Sequence, residues 1–455
     1  MSENKDGVSR RELLTRIGAV GATSALTGVT LPMVHCSADD TIQLALIGCG
    51  GRGTGAVADA FSCGVGPVRL VAMADIFEDR LRGSYETLRK SYGERVDVPA
   101  ERRFVGLDAY ARAMDCLKPG DVAIFATPPA FRWVHFRYAI GKGLNVFMEK
   151  PISVDGPTSK RMMELGKEAD AKGLKVGVGL MCRHCVARNA LFERIRSGDA
   201  GEIVLLRAYR LHGPVAYFSS PPKPAGISEL YYQIQRFHSF LWAGGGAFSD
   251  YYIHHIDECC WMKNAWPVQA SALGGRHYRG NSVDQNFDVY TVEYTFADGT
   301  KLFLEGRCMD GCQNAFASYA HGTKGLAIIS EDGHAPARSR IYKGHVKDPT
   351  AIAWQYGQRE PSPYRLEWRH LLDAIRNNKP YNEVQRGAEA SLVTVMGRMA
   401  AHTGQVVTYD QALNHPHELA PNLDKLTADS PAPLQAGPDG RYPVPQPGKV
   451  TDREF

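Results

Sequence analysis

A short apolar run, Thr41-Ile-Gln-Leu-Ala-Leu-Ile47, leads straight into the glycine-rich turn Gly48-Cys49-Gly50-Gly51-Arg52-Gly53. A strand that ends in such a turn and reopens as a helix admits few folds. Gly48 permits the tight turn, Gly50 lets backbone approach a diphosphate, and Gly53 allows close helix–strand packing. The helix start offers free N–H groups and the positive end of its dipole to phosphate, with Gly51 and Arg52 completing the cradle. Asp75 ends the next apolar run, residues 68–74. A carboxylate there accepts hydrogen bonds from ribose hydroxyls and repels a 2′-phosphate. The pattern predicts a dinucleotide site for NAD, with NADP as the alternative.

Further strands are expected at 122–126 and 145–148, with helices at 54–61, 77–92 and 133–141. Alternating strands and helices make a parallel, doubly wound sheet. A helix at 159–172 and a strand at 176–178 continue the pattern, which then changes. Runs at 203–211, 268–273, 287–296 and 301–307 alternate apolar and polar residues between turns such as Asp298-Gly299, the mark of an antiparallel sheet. Helical patterns return at 366–377 and 387–403. The expected class is α/β plus α+β: a doubly wound parallel sheet, then an open, mainly antiparallel one. The expected division is a dinucleotide-binding domain over 39–151, a substrate and oligomerisation domain over 152–420, and an extended tail over 421–455 carrying seven prolines.

A chain of 455 residues is too long for one ordinary core. Its net charge of +4 and the lack of a basic stripe with interleaved aromatics exclude nucleic acid as the main partner. Ser9-Arg10-Arg11-Glu12-Leu13-Leu14 has the twin-arginine arrangement, and a mildly apolar stretch follows to a small-residue cleavage site after Ala38. Residues 1–38 therefore read as an export signal, with the twin-arginine machinery as partner and the periplasm as address. An uncleaved anchor or a lipid-modified Cys36 is the alternative. The ten cysteines make no disulfide framework. Cys182-x-x-Cys185 around His184 and Cys308-x-x-x-Cys312 are weak zinc patterns, and no metal is expected.

Thr127-Pro128-Pro129 and Glu149-Lys150-Pro151 follow neighbouring strands, where a doubly wound sheet opens its ligand crevice. Lys150 would then lie near a nicotinamide. On a helix Asp250, His254 and Asp257 share one face, and Gly244-Gly245-Gly246 before them would let backbone pass close to a ligand. Hydride transfer from a secondary alcohol needs a base for the hydroxyl proton. Histidine titrates near the working pH, and a neighbouring carboxylate orients it. A structural salt-bridge cluster has the same spacing.

With Gly48-x-Gly50-x-x-Gly53, Ala126-Thr127-Pro128, Glu149-Lys150-Pro151, Gly244-Gly245-Gly246, Asp250-x-x-x-His254-x-x-Asp257 and the turn Gly322-Thr323-Lys324-Gly325, the chain resembles the Gfo/Idh/MocA oxidoreductase family. The resemblance covers nearly everything beyond the leader. It implies a Rossmann domain whose nicotinamide faces the open sheet, Lys150 and His254 as catalytic groups, and Asp250 orienting the histidine or binding substrate. It also implies Arg183, Tyr232, Gln233 and Asp257 on the substrate side, with the aromatic stretch from His212 to Trp242 as cover. Gly179-Leu180-Met181-Cys182-Arg183-His184 departs from the Gln-Arg-Arg type of sequence often found there. The implied activity is NAD(P)-dependent chemistry at a ring hydroxyl or keto group of a sugar, glycoside or cyclitol, with tightly held cofactor in a homo-oligomer. Redox-neutral, NAD-dependent glycoside hydrolysis and non-catalytic sugar binding are the alternatives.

Overall fold

The computed structural model describes residues 41–277 and 279–455, so the expected export signal lies outside the described residues. Five of the six side chains of β1 (Ile42–Ile47) are buried. A strand covered on both faces must be apolar along its length, and β1 accordingly sits mid-sheet. Around it lie β2 (Val68–Asp75), β3 (Arg103–Val105), β4 (Val122–Phe125), β5 (Asn145–Met148) and β6 (Val176–Val178), all parallel, in the order β3-β2-β1-β4-β5-β6. The helices between them are α1 (Gly51–Ser62), α2 (Glu78–Tyr92), α3 (Ala109–Met114), α4 (Arg132–Gly141) and α5 (Gly156–Ala171). Strand order reverses between β1 and β4, which opens a crevice at their carboxyl ends. The parallel sheet does not stop at residue 151. α5 and β6 belong to it, because β6 pairs with β5 from Val146↔Val176 to Met148↔Val178. Asp155 caps α5 by accepting from the Thr158 N–H at 2.8 Å, and its other oxygen accepts from Leu419 N–H.

After α6 (Val186–Arg196) the chain enters a nine-stranded sheet with β7 (Ile203–His212). Then come α7 (Glu229–Gln235), α8 (Leu241–Gly244) and α9 (Gly246–Lys263). The sheet is completed by β8 (Gln269–Gly275), β9 (Val289–Thr295), β10 (Lys301–Cys308), β11 (Ala315–Gly322), β12 (Gly325–Glu331), β13 (Arg340–Lys343) and β14 (Ile352–Gln355), with α10 (Pro363–Arg376), α11 (Val384–Thr403) and β15 (Val407–Thr408) after it. Its order is β14-β13-β12-β11-β7-β10-β9-β8-β15. Only the β7–β10 pair is parallel. Helix α9 packs on β7, β11 and α11, which leaves 16 of its 18 residues buried. From the far end of the chain, α10 returns Trp368 to the first sheet, stacked 4.5 Å from Phe147.

The proline-rich tail is extended, with one helical turn at Leu423–Lys425, but it is more than surface drape. Leu423, Ala432, Leu434, Tyr442 and Glu454 are buried. Among the described residues no helix is long and apolar enough to cross a membrane.

Candidate active site

A cavity of about 720 Å³ opens at the carboxyl ends of β1, β2, β4 and β5. The glycine turn forms one end. Gly48 has φ +96°, and a Cβ on it would meet the Ala126 carbonyl carbon at 2.6 Å. A Cβ on Gly53 would lie 2.0 Å from the Gly48 carbonyl oxygen. Both glycines are therefore required by the protein's own packing. Gly50 and Gly51 differ, for a Cβ on either meets nothing within 4 Å. They face the cavity at the N-terminus of α1, where a diphosphate would be held.

Asp75 reaches the same end, its two oxygens accepting from the N–H groups of Cys49 at 2.7 Å and Phe77 at 2.9 Å. Burial raises its carboxyl above the usual range, opposed by those two N–H groups. Arg52 donates to Glu149 at 2.9 Å and stacks over Tyr364, so this pair fastens the turn to the end of β5. Thr127 and Pro128 also line the wall. Arg132, which no motif marks, donates to Thr127 Oγ1 at 2.8 Å and to the Glu149 carbonyl at 3.0 Å, locking the ends of β4 and β5 together. Open space over Gly50 and Gly51, a helix N-terminus and a half-buried carboxylate fit the diphosphate and ribose of a dinucleotide.

At the other end Lys150 Nζ donates to the main-chain carbonyl of Asp250 at 2.8 Å and to Asp250 Oδ1 at 3.0 Å. The second carboxylate oxygen lies 3.3 Å from His238 Nε2. Burial pushes the Asp250 carboxyl up, but the Lys150 ammonium and His238 outweigh it and hold the group well below the usual range. Lys150, Asp250 and His238 all line the cavity, together with Tyr217 and Phe237.

Other expected site residues stand elsewhere. His254 lies one turn beyond Asp250 on α9 and is not part of this cavity wall. It is 7 % exposed, with Nδ1 4.0 Å from Cys182 Sγ and its ring edge-on to His334 at 4.5 Å. Burial, and then the charges of Lys150 and His255, keep its imidazole neutral. Arg183 and Asp257 spend themselves on each other in a two-pronged pair at 2.9 and 2.8 Å, away from the cavity. Tyr232 and Gln233 are buried. Gln233 accepts from Trp242 Nε1 at 2.6 Å and donates to the Leu434 carbonyl at 2.7 Å, which makes it a brace for the tail. The triplet Gly244-Gly245-Gly246 serves packing and not ligand approach: a Cβ on Gly244 would meet the Phe237 carbonyl at 2.6 Å, and one on Gly245 the Ser249 and Arg398 side chains.

Tyr217, Phe237 and His238 come from the aromatic stretch read as a cover. Arg80 on α2 ties that stretch down, donating to the Gln235 carbonyl at 3.2 Å and to Tyr217 Oη at 3.4 Å.

No family model matches the chain. Inositol 2-dehydrogenase of Leifsonia xyli subsp. xyli is 34 % identical over 110 residues, 24 % of this chain and 31 % of that protein. The rhizopine catabolism protein MocA of Rhizobium meliloti is 23 % identical over 198 residues, 43 % of this chain and 50 % of that one. The chain thus matches half or less of the length of these curated relatives. Aldose-aldose oxidoreductase from Caulobacter crescentus, solved with glycerol, superposes with a TM-score of 0.62 at 16 % identity, over 81 % of this chain and 100 % of that one. Scyllo-inositol dehydrogenase from Lactobacillus casei, solved with NAD(H) and scyllo-inositol, gives 0.58 at 20 % identity over 82 % and 100 %. At such identities the superpositions establish a shared fold.

Proposed function

We propose that the chain is a Gfo/Idh/MocA-type oxidoreductase and that it oxidises or reduces a ring hydroxyl or keto group of a sugar, glycoside or cyclitol with NAD, NADP being the alternative; the partial sequence matches to inositol 2-dehydrogenase and MocA and the shared fold support this reading. The observation that carries this reading is the Lys150–Asp250 contact on the cavity that begins at the glycine turn. An ammonium has three N–H groups. Asp250 takes two of them and aims the ammonium, leaving one for a carbinol or carbonyl oxygen.

Gly50, Gly51 and the α1 N-terminus would hold the diphosphate, Asp75 the ribose, and Thr127 and Pro128 the stretch leading to the nicotinamide. A bound nicotinamide supplies the two-electron acceptor or donor for hydride. Lys150 holds the substrate oxygen and favours its alkoxide-like character. His254, the proton acceptor that the resemblance implies, stands one turn behind the cavity wall with its basicity lowered by burial, so no proton step is given to it. The Arg80-tied cover over the cavity supports a cofactor that stays bound, which suits an exported enzyme working where free dinucleotide is scarce. A twin-arginine leader, a periplasmic address and a homo-oligomer complete the proposal.

The test is to denature the purified protein, identify any released dinucleotide, and screen sugars, 3-keto-glycosides and inositols for changes in cofactor fluorescence under anaerobic conditions. Reduction or reoxidation by a carbohydrate or cyclitol is expected. A protein that neither retains nor binds NAD(P)H overturns the reading. Aglycone release at constant NADH, with solvent deuterium entering the sugar, replaces it with redox-neutral hydrolysis.

A further inference from the structure

We propose that His238 is a positioning residue for the reaction: it grips the free oxygen of Asp250 and so fixes the direction of the Lys150 ammonium. The proposal rests on the functional reading above and adds to it a group outside the Lys150, Asp250 and His254 set. A carboxylate held by a single partner turns about its terminal torsion, which is broad. Asp250 is held at both oxygens, by Lys150 Nζ at 3.0 Å on Oδ1 and His238 Nε2 at 3.3 Å on Oδ2. The three side chains are buried to nearly the same degree, 16 %, 16 % and 12 % exposed, and all line the same cavity.

His238 is itself set in place. Its ring lies 3.8 Å from that of Phe237 and 5.9 Å from those of Tyr217 and Tyr251. Its carbonyl accepts from Asn286 Nδ2 at 2.8 Å. Nδ1 is buried without a hydrogen-bond partner, and the Asp250 carboxylate lies 3.3 Å from Nε2. An Nε2–H donor facing Asp250 is the tautomer this arrangement requires.

The experiment compares His238→Phe, which keeps a flat ring but no donor, with His238→Gln, whose amide N–H restores one. Two readouts are taken on the full chain. Lysine acetylation by acetic anhydride, followed by peptide mass spectrometry, reports whether Lys150 is held; steady-state kinetics with the best polyol reports what holding it does. In His238→Phe, Lys150 is expected to acetylate at least about threefold faster, and kcat to fall about tenfold with KM for cofactor little altered. His238→Gln is expected to recover most of both. Equal Lys150 labelling in all three proteins overturns the positioning role whether or not a substrate has been found. Altered labelling in a protein that turns over no polyol retains the contact but removes the reaction it was read to serve. A loss shared equally by both variants, with a lowered melting temperature, assigns His238 to folding and overturns the proposal.

Discussion

In the proposed reaction Lys150 is the central side chain, because Asp250 takes two of its hydrogen bonds and leaves a third N–H for the substrate oxygen. Lys150→Met keeps the stem and removes every N–H. Cofactor reduction should slow by about 10²- to 10⁴-fold while NADH binding, followed by fluorescence titration, stays within about twofold. The glycines separate in the same way. Gly53→Ala places a methyl 2.0 Å from the Gly48 carbonyl oxygen, so the turn must open, and the melting temperature should drop with or without NADH. Gly50 has φ −72° and open space beyond it, so Gly50→Ala should leave the cofactor-free melting temperature unaltered. Its NADH affinity should fall about tenfold or more, since the methyl occupies the diphosphate's approach. Equal behaviour of the two variants in a thermal-shift titration would contradict this division of labour. The spacing of the turn made both glycines legible in the sequence. The structure shows why they differ: the Gly48 carbonyl, Leu46 and Ala126 pack against Gly53, and nothing lies against Gly50.

At the scale of elements, α11 and the tail are joined by a buried ionic cluster. Arg398 donates to both oxygens of Glu454 at 2.8 Å, and His402 Nδ1 lies 2.9 Å from the same carboxylate. Burial would raise the Glu454 carboxyl, but Arg398 and then His402 hold it far below its ordinary value. A carboxyl depressed in the folded state contributes stability above its unfolded value, near 4.3, and that contribution is lost as pH falls below it. Glu454→Gln leaves Arg398 buried without its charge partner and should cost about 3–5 kcal/mol at neutral pH. Its further loss of stability between pH 5 and pH 3 should be smaller than that of the wild type, as measured by urea unfolding at each pH. The tail's extended form was readable from its prolines. Its last residues enter the core because α11 leaves a buried guanidinium to be neutralised, a need that periodicity does not register.

At the scale of the whole molecule, the cavity is walled by the first sheet and covered by a segment between β7 and α9 that is braced from two sides. Arg80 ties the cover to α2, while the tail supports α7 through Gln233 to the Leu434 carbonyl, and Gln285 donates to the Pro443 carbonyl at 2.8 Å. Arg80→Ala should release NADH about tenfold faster in stopped-flow displacement, with a melting temperature within about two degrees of the wild type. A chain ending at residue 420 should lose both stability and cofactor retention; retention equal to that of the full chain would show that the tail braces nothing at the site. Legible in the sequence were β1, β2 and β4 to β10, most of the long helices, the parallel-then-antiparallel order and the glycine turn followed by Asp75, while β3 and β11 to β15 carried no clear period. The legible features follow from local sterics, hydrophobic period and the ends of neighbouring strands. Contacts between distant segments set the rest: Arg183 closes on Asp257, Gln233 holds the tail, His254 stands behind the cavity wall and His238 completes it. A polar side chain answers to whichever segment folds against it, and a partner that arrives from a distant part of the chain leaves no trace in the residues beside it.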